Sequence, residues 1–281
     1  MKKLNQTGIA HLAAILVVVV IAVVGFAGWR VLGSKKTESN SSQTSPNQEK
    51  STGVSKSEFV NWDFSGDKWQ AEGKAPKCSE PIVLNSPVDV SLPTAVLYPG
   101  QTRGQYKPHG GFRFADKKND VTVKAPTSGY LTLGSRYIEG GEVQILLFFV
   151  NPCGIAFRFD HLLTVSAEMQ KQVDLLPAAK LDDSRTTRFD NPVLVSQGDV
   201  IATAVGFVKT GNAAVDFGVY DLRSQNEASK NSIYASEHAQ DKEQAFYAVC
   251  WLDLLTGNEK TTIKALPGGD DKAGKTSDYC K

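Results

Sequence analysis

Residues 12–29 (LAAILVVVVIAVVGFAGW) form an unbroken run of 18 apolar or small side chains, and no other feature of the chain restricts its folding so severely. At 1.5 Å per residue, and extended back through His11, Ala10 and Ile9, a helix over this run crosses roughly 30 Å of hydrocarbon. A helix buried in a soluble core shows an amphipathic period; this stretch shows none. The sequence therefore predicts a transmembrane helix over 9–30, preceded by a short cytoplasmic N-terminus at 1–8. A cleaved signal peptide is the competing reading, with Gly25-Phe26-Ala27 as a small-x-small cleavage site, although the run is longer than the apolar stretch such signals normally carry.

Residues 31–57 follow as a linker. From residue 34 they read SKKTESNSSQTSPNQEKSTGVSKS, a composition that cannot bury a core and reads as a flexible polar tether. Lys2 and Lys3 lie before the apolar run and Arg30, Lys35 and Lys36 after it, so basic charge does not orient the span. The cysteines do. Cys78, Cys153, Cys250 and Cys280 all lie beyond the tether, none in a C-x-x-C pair, which argues for disulfides rather than structural zinc and places the C-terminal part outside the cytoplasm. Three pairings are open. The favoured one joins Cys250 to Cys280, stapling the C-terminal tail onto a preceding helix, and leaves Cys78 with Cys153.

Charge divides at the same boundary. Residues 1–57 carry seven Lys/Arg against two Glu, a balance of +5, while residues 58–281 carry 24 basic against 28 acidic side chains, a balance of −4. A globular part with an acidic balance and no basic cluster does not suit a phosphate backbone, so nucleic acid is not an expected partner.

Beyond residue 58 short strand patterns recur at 92–98, 111–115, 121–125, 129–134, 142–150, 154–160, 199–206 and 214–221, punctuated by Gly, Pro, Asn and Asp. Strands this short and this closely spaced predict an antiparallel β-sandwich or barrel, not alternating β-α units. A short helix is expected at 166–176. A longer C-terminal one is expected at about 236–255, where Ala245, Val249, Leu252 and Leu255 form an apolar stripe. The organisation expected is an N-terminal extension at 58–91 carrying Trp62, Phe64 and Trp69, a β domain at 92–222, and a helix with a disulfide-stapled tail at 223–281.

Five motifs stand in order along the β domain: Lys107-Pro108-His109-Gly110-Gly111-Phe112-Arg113-Phe114-Ala115; Val123-Lys124-Ala125-Pro126-Thr127-Ser128-Gly129-Tyr130-Leu131; Phe159-Asp160-His161-Leu162; Val195-Ser196-Gln197-Gly198-Asp199-Val200-Ile201-Ala202; and Ala214-Val215-Asp216-Phe217-Gly218-Val219. Over about residues 92–221 their order and spacing resemble the lysostaphin/LytM-type zinc endopeptidases that cut peptidoglycan cross-bridges. The resemblance implies a mainly β barrel-sandwich hybrid and a groove built around a metal. It also implies the departures. His109 matches the family's first zinc ligand, but Arg113 stands at its aspartate ligand and Asp216 at its second histidine ligand. His161 matches one assisting histidine, and Ala214 replaces the other.

A catalytic zinc needs three protein ligands and an open position for water. A guanidinium has no lone pair to give, and a +1 charge about 4 Å from a +2 ion costs on the order of 8 kcal/mol at an effective dielectric near 20. Arg113 and Asp216 are therefore expected to form a salt bridge in the space of the metal, with His109 alongside. Breaking such a buried pair costs about 3–5 kcal/mol. Asp116 is spaced differently from a family ligand, Asp160 reads as a strand-end carboxylate facing water or orienting His161, and His238 reads as solvated on the C-terminal helix. Phe112, Phe114, Tyr130 and Tyr137 are candidates for a cleft floor.

The function expected from the resemblance is a membrane-anchored, extracytoplasmic, non-catalytic domain that binds peptidoglycan peptide or regulates a cell-wall hydrolase, with no cofactor. The alternative is an active zinc metalloendopeptidase using His109, Asp216 and His161. A carrier-type barrel, suggested by the similarity of the second and fourth motifs to biotinyl and lipoyl domains, lacks the lysine at the tip of a central hairpin. No serine-hydrolase elbow, phosphate loop or His-Glu-x-x-His helix competes.

Overall fold

Strands form where β-branched and aromatic residues alternate, and the computed structural model, which describes residues 58–116 and 118–281, is built mainly from them. The expected N-terminus at 1–8, spanning helix at 9–30 and linker at 31–57 lie outside the described residues. Among the described residues no helix is long and apolar enough to cross a membrane.

The first elements are a hairpin of β1 (Trp62–Ser65) and β2 (Lys68–Ala71), then β3 (Ala95–Leu97), a tight hairpin of β4 (Gln101–Arg103) and β5 (Gln105–Lys107), β6 (Gly110–Arg113) and β7 (Val123–Lys124). Three long strands follow: β8 (Gly129–Glu139), β9 (Glu142–Val150) and β10 (Ile155–Val165). The turn between β8 and β9 is Gly140-Gly141, with φ of 60° and 75°, the left-handed pair that a two-residue hairpin needs and that glycine adopts without a steric penalty. Helix α1 (Ala167–Val173) falls inside the expected 166–176 window. Ser166 caps it by accepting from the Met169 amide, and Met169 and Val173 are its buried face. After β11 (Lys180–Leu181) come β12 (Thr187–Val195), β13 (Val200–Val205) and β14 (Ala214–Asp221). Ten strands share one sheet with a main order of β11-β8-β9-β10-β14-β6-β3. β12 pairs with β8, and β13 with β10 and β7. Every ladder in it is antiparallel except β11 with β8. The fold is mainly β, as the strand spacing requires.

The C-terminal region departs from expectation. In place of one helix over 236–255 the chain forms α2 (Ser232–Glu237), α3 (Lys242–Ala245), α4 (Trp251–Leu254) and α5 (Gly257–Ala265). Between α3 and α4 the backbone runs beside β14, where the Asp221 amide donates to Tyr247, the Val249 amide donates to Val219, and Tyr220 bridges Ala248. An extended segment cannot continue a helix, so sheet pairing overrides the helical stripe. The stripe residues Ala245, Leu252 and Leu255 are nevertheless buried, and Trp251 is fully buried against Phe112 and Phe217 at 5.0 and 5.1 Å between ring centroids.

Both faces of the central strands are covered. One face carries Leu147, Phe149, Phe157, Phe159, Phe217 and Val219 into the main core, which also takes Leu84 and Val88 from the N-terminal extension and Trp251, Leu252 and Ile263 from the C-terminal region. The opposite face carries Phe148, Val150, Ala156 and Tyr220, and these pack beneath Val60, Trp62 and the β1–β2 hairpin. Two disulfides, Cys78–Cys153 and Cys250–Cys280, form in the favoured pairing. The second closes 30 residues and ties the tail to the residue that opens α4. Loop-closure entropy makes it worth about 3–4 kcal/mol. Replacing Cys250 and Cys280 together by serine is expected to lower stability by about that amount in denaturant titration, and the Cys78/Cys153 double variant, which opens a 75-residue loop, by somewhat more.

Candidate functional site

Strand alternation sets the site. In β10 the order Phe157-Arg158-Phe159-Asp160 sends the phenylalanines into the main core and Arg158 and Asp160 to the other face; in β14, Val215, Phe217 and Val219 go inward and Asp216, Gly218 and Tyr220 go with the charges. Register then fixes neighbours: Arg158 faces Gly218, and Asp160 faces Asp216. This charged face continues past the cover of the β1–β2 hairpin and opens into a cavity of about 730 Å³. Its walls include Trp69, Lys107, Leu133, Glu139, Arg185 and Gln244.

His109, just before β6, enters the same cavity. Gly218 makes room for it, because a Cβ there would sit 2.8 Å from His109 Cβ and 2.9 Å from the Tyr220 hydroxyl. His109 is 6% exposed, and its Nε2 lies 2.9 Å from Asp216 Oδ2. Burial, reinforced by the Arg158 charge and only partly opposed by Asp216, lowers the His109 imidazole to about 4. The ring is therefore neutral at physiological pH, with the Nε2 proton donated to Asp216 and Nδ1 left buried without a partner. Burial pushes the Asp216 carboxyl up, but His109, His161 and Arg103 more than offset it and hold it well below the usual carboxylate range.

His161 comes from the opposite direction. The β10 ladder shifts register between Phe159 and Leu162, and His161 sits in that bulge at φ 61°, a left-handed conformation costly for a residue with a Cβ. The bulge turns its ring toward Asp216, with Nε2 3.7 Å from Oδ2 and Nδ1 3.9 Å from Glu139. Asp160 holds the bend by accepting the His161 amide at 2.9 Å. It also accepts from Arg158 at 2.6 Å and from the Tyr137 hydroxyl at 2.8 Å. Burial and the Asp160 carboxylate push the Tyr137 phenol far up, so it remains a donor.

Several expectations change. Arg113 does not pair with Asp216. Asp216 lies opposite Gly111, diagonally between His109 and Arg113, and takes His109. The Arg113 stem packs on Gly269 instead, and its guanidinium reaches Asn212 Oδ1 at 3.4 Å. The fixed cations whose charge is felt at Asp216 are Arg103 and Arg158. Ala214, opposite Arg113, is buried outside the cavity lining. Asp160 is buried rather than facing water. His238 is not merely solvated: it stacks on Tyr106 with 3.7 Å between centroids. Asp116 is exposed and outside the cavity. Of the four proposed floor aromatics Tyr137 alone lines the cavity; Phe112 and Phe114 belong to the core, and Tyr130 packs on Phe59. Sequence reasoning passed over Arg158, although a charged residue between two phenylalanines in an otherwise apolar strand is a legible sign of a built polar site.

The zinc implied by the family resemblance does not fit these residues. Two imidazole Nε2 atoms and one carboxylate oxygen converge, but a metal-bound histidine needs an acceptor for its other N–H, and His109 Nδ1 has none. The permanently charged Arg158 lines the same cavity, and the position of the family's aspartate ligand holds a guanidinium turned aside. Among the described residues no group of three His, Cys, Asp or Glu is disposed to hold a metal. What the arrangement offers is a polar wall of fixed donors and acceptors beside apolar Leu133, Leu146 and Phe148. No protein-family model matches the chain, and neither a curated protein nor a solved structure is found similar to it.

Two outcomes follow from this geometry. A histidine whose folded pKa is depressed contributes stability that is fully present above its unfolded value near 6.5 and is lost as pH falls toward about 4. Thermal unfolding is expected to show the chain losing on the order of 3 kcal/mol from this group across that window, with the slope flattened in His109→Gln. At position 161 the usual ranking of glycine and alanine is expected to invert: His161→Gly should be more stable than His161→Ala by about 1 kcal/mol, measured by denaturant midpoint, because only glycine adopts φ 61° without strain.

Proposed function

We propose that the chain is a membrane-anchored, extracytoplasmic domain of the lysostaphin/LytM type, its sheet a barrel-sandwich hybrid, that binds the peptide of peptidoglycan or a cell-wall hydrolase acting on it, without cutting it. One observation carries the reading. His109, His161 and Asp216, each at a position the family uses for its metal or its catalysis, meet in one cavity although 107 residues separate the first from the last. The groove is thus kept while its ligand set is not, since Arg113 stands where the family's aspartate ligand would be and the Asp216 carboxylate is taken up by His109. The two disulfides agree with an oxidising compartment. The apolar run at 9–30 supplies the anchor.

A peptide suits the cavity. Backbone amides and carbonyls find donors and acceptors on the polar wall, and small side chains find Leu133, Leu146 and Phe148 on the other. The full chain in detergent is expected to co-sediment with purified peptidoglycan, to release no soluble fragments from it, and to carry zinc far below one ion per chain by elemental analysis. Arg113→Asp, which restores the family's ligand type, is expected to stay zinc-poor as well, because His109 Nδ1 still lacks an acceptor and Arg158 still lines the cavity. Stoichiometric zinc together with released wall fragments in the unmodified chain would replace this reading with an active endopeptidase using His109, Asp216 and His161.

A further inference from the structure

A second cavity beside the site is lined by two arginines that, among the described residues, enter no ion pair. Arg103 of β4 donates to the Tyr98 carbonyl at 3.2 Å, to Gln101 Oε1 at 3.3 Å and to the His109 carbonyl at 3.2 Å. Arg113 of β6 reaches Asn212 Oδ1 at 3.4 Å, and its Nε is buried with no partner. Every one of these acceptors is neutral, and among the described residues neither guanidinium enters an ion pair. Together with Thr102, Lys272 and the loop at Gly269–Asp271 they line a cavity of about 470 Å³. The acidic groups there offset them only in part: the Asp270 carboxylate feels both guanidinium charges but forms an ion pair with neither. Asp270 spends a carboxylate oxygen on the amides of Lys272 and Ala273 at 3.0 and 2.7 Å, and Asp271 is exposed. Burial, opposed by Asp216 and Asp270 and reinforced by Arg113, lowers the Arg103 guanidinium, as expected for a half-buried cation beside another.

A partly desolvated guanidinium without a direct ion pair is costly, and two of them facing one cavity with unused N–H donors match an oxyanion that takes paired hydrogen bonds. Gly269 leaves room for the Arg113 stem, since a Cβ there would stand 3.2 Å from its Cδ. Arg103 in turn is bonded to the His109 backbone, so an anion seated here lies next to the His109–Asp216 cavity. We infer that Arg103 and Arg113 form a carboxylate-binding pocket that anchors the free carboxyl terminus of a peptide lying in the adjoining groove. This rests on the peptide-binding reading above. It gives Arg113 a role of its own: the residue that stands in place of a metal ligand reads the ligand's charge instead.

Calorimetric titration of the full chain in detergent tests it with three probes: N-acetyl-D-alanyl-D-alanine, the C-terminal amide of the same dipeptide, and inorganic phosphate. The acid is expected to bind saturably and the amide at least tenfold more weakly. Arg113→Gln is expected to weaken the acid tenfold or more while leaving the thermal midpoint close to that of the parent. Arg113→Lys, which keeps the charge and loses the fork, should fall between the two. Equal binding of acid and amide, no binding of the acid, an unchanged affinity in Arg113→Gln, or phosphate binding more tightly than the acid would each overturn the pocket. The two readings fail separately. A chain that sediments with peptidoglycan but ignores the carboxylate loses the pocket and keeps the wall reading, whereas one that binds the acid through Arg113 but not peptidoglycan keeps the pocket and loses the wall.

Discussion

The contact between His109 and Asp216 organises this molecule, because it lets a sheet bury charge on one face while burying phenylalanine on the other. Strand alternation forces the division: wherever Phe157, Phe159 and Phe217 enter the core, Arg158, Asp160 and Asp216 must go to the far side. Two carboxylates placed opposite each other on neighbouring strands repel unless compensated. Arg158 and Tyr137 satisfy Asp160, and His109 satisfies Asp216. Each group in the cluster depends on a neighbour from a different strand, so the polar face is as specific as the aromatic one.

Peripheral elements protect that arrangement. The β1–β2 hairpin shields part of the second face, and Trp69 reaches across to bond the Glu243 carbonyl at 2.8 Å. The C-terminal tail is held by the Cys250–Cys280 bridge and by the Tyr279 hydroxyl, which lies 2.6 Å from those of Tyr106 and Tyr234. Tyr106 belongs to β5, whose neighbour Lys107 lines the main cavity two residues before His109. The bridge thus stabilises more than the end of the chain. It fixes the strand that delivers His109.

Much of the fold was legible in advance. The strand runs at 142–150 and 214–221 coincide with β9 and β14, and α1 falls inside the helix expected at 166–176, because strand and helix patterns are local properties. The C-terminal helices were misjudged because a stripe at Ala245, Val249, Leu252 and Leu255 says which residues are buried, and not whether the backbone between them pairs with a strand. At the site, the family resemblance named His109, His161 and Asp216, and the three line one cavity. The resemblance misplaced Arg113 against Asp216, because a diagonal pairing two residues out of register cannot be told from its mirror diagonal without the ladder.

Sequence by itself determined the period-two strands, the glycines of the β8–β9 turn, the even set of cysteines and the residue types available to the site, all of which follow from steric and solvation preferences of single residues and close neighbours. Tertiary structure alone decided which carboxylate met which cation. That choice depends on ladder register, on a bulge that turns His161 through a left-handed backbone, and on Gly218 and Gly269 leaving space for His109 and Arg113. These are distances between residues far apart in the chain, and no local pattern encodes them.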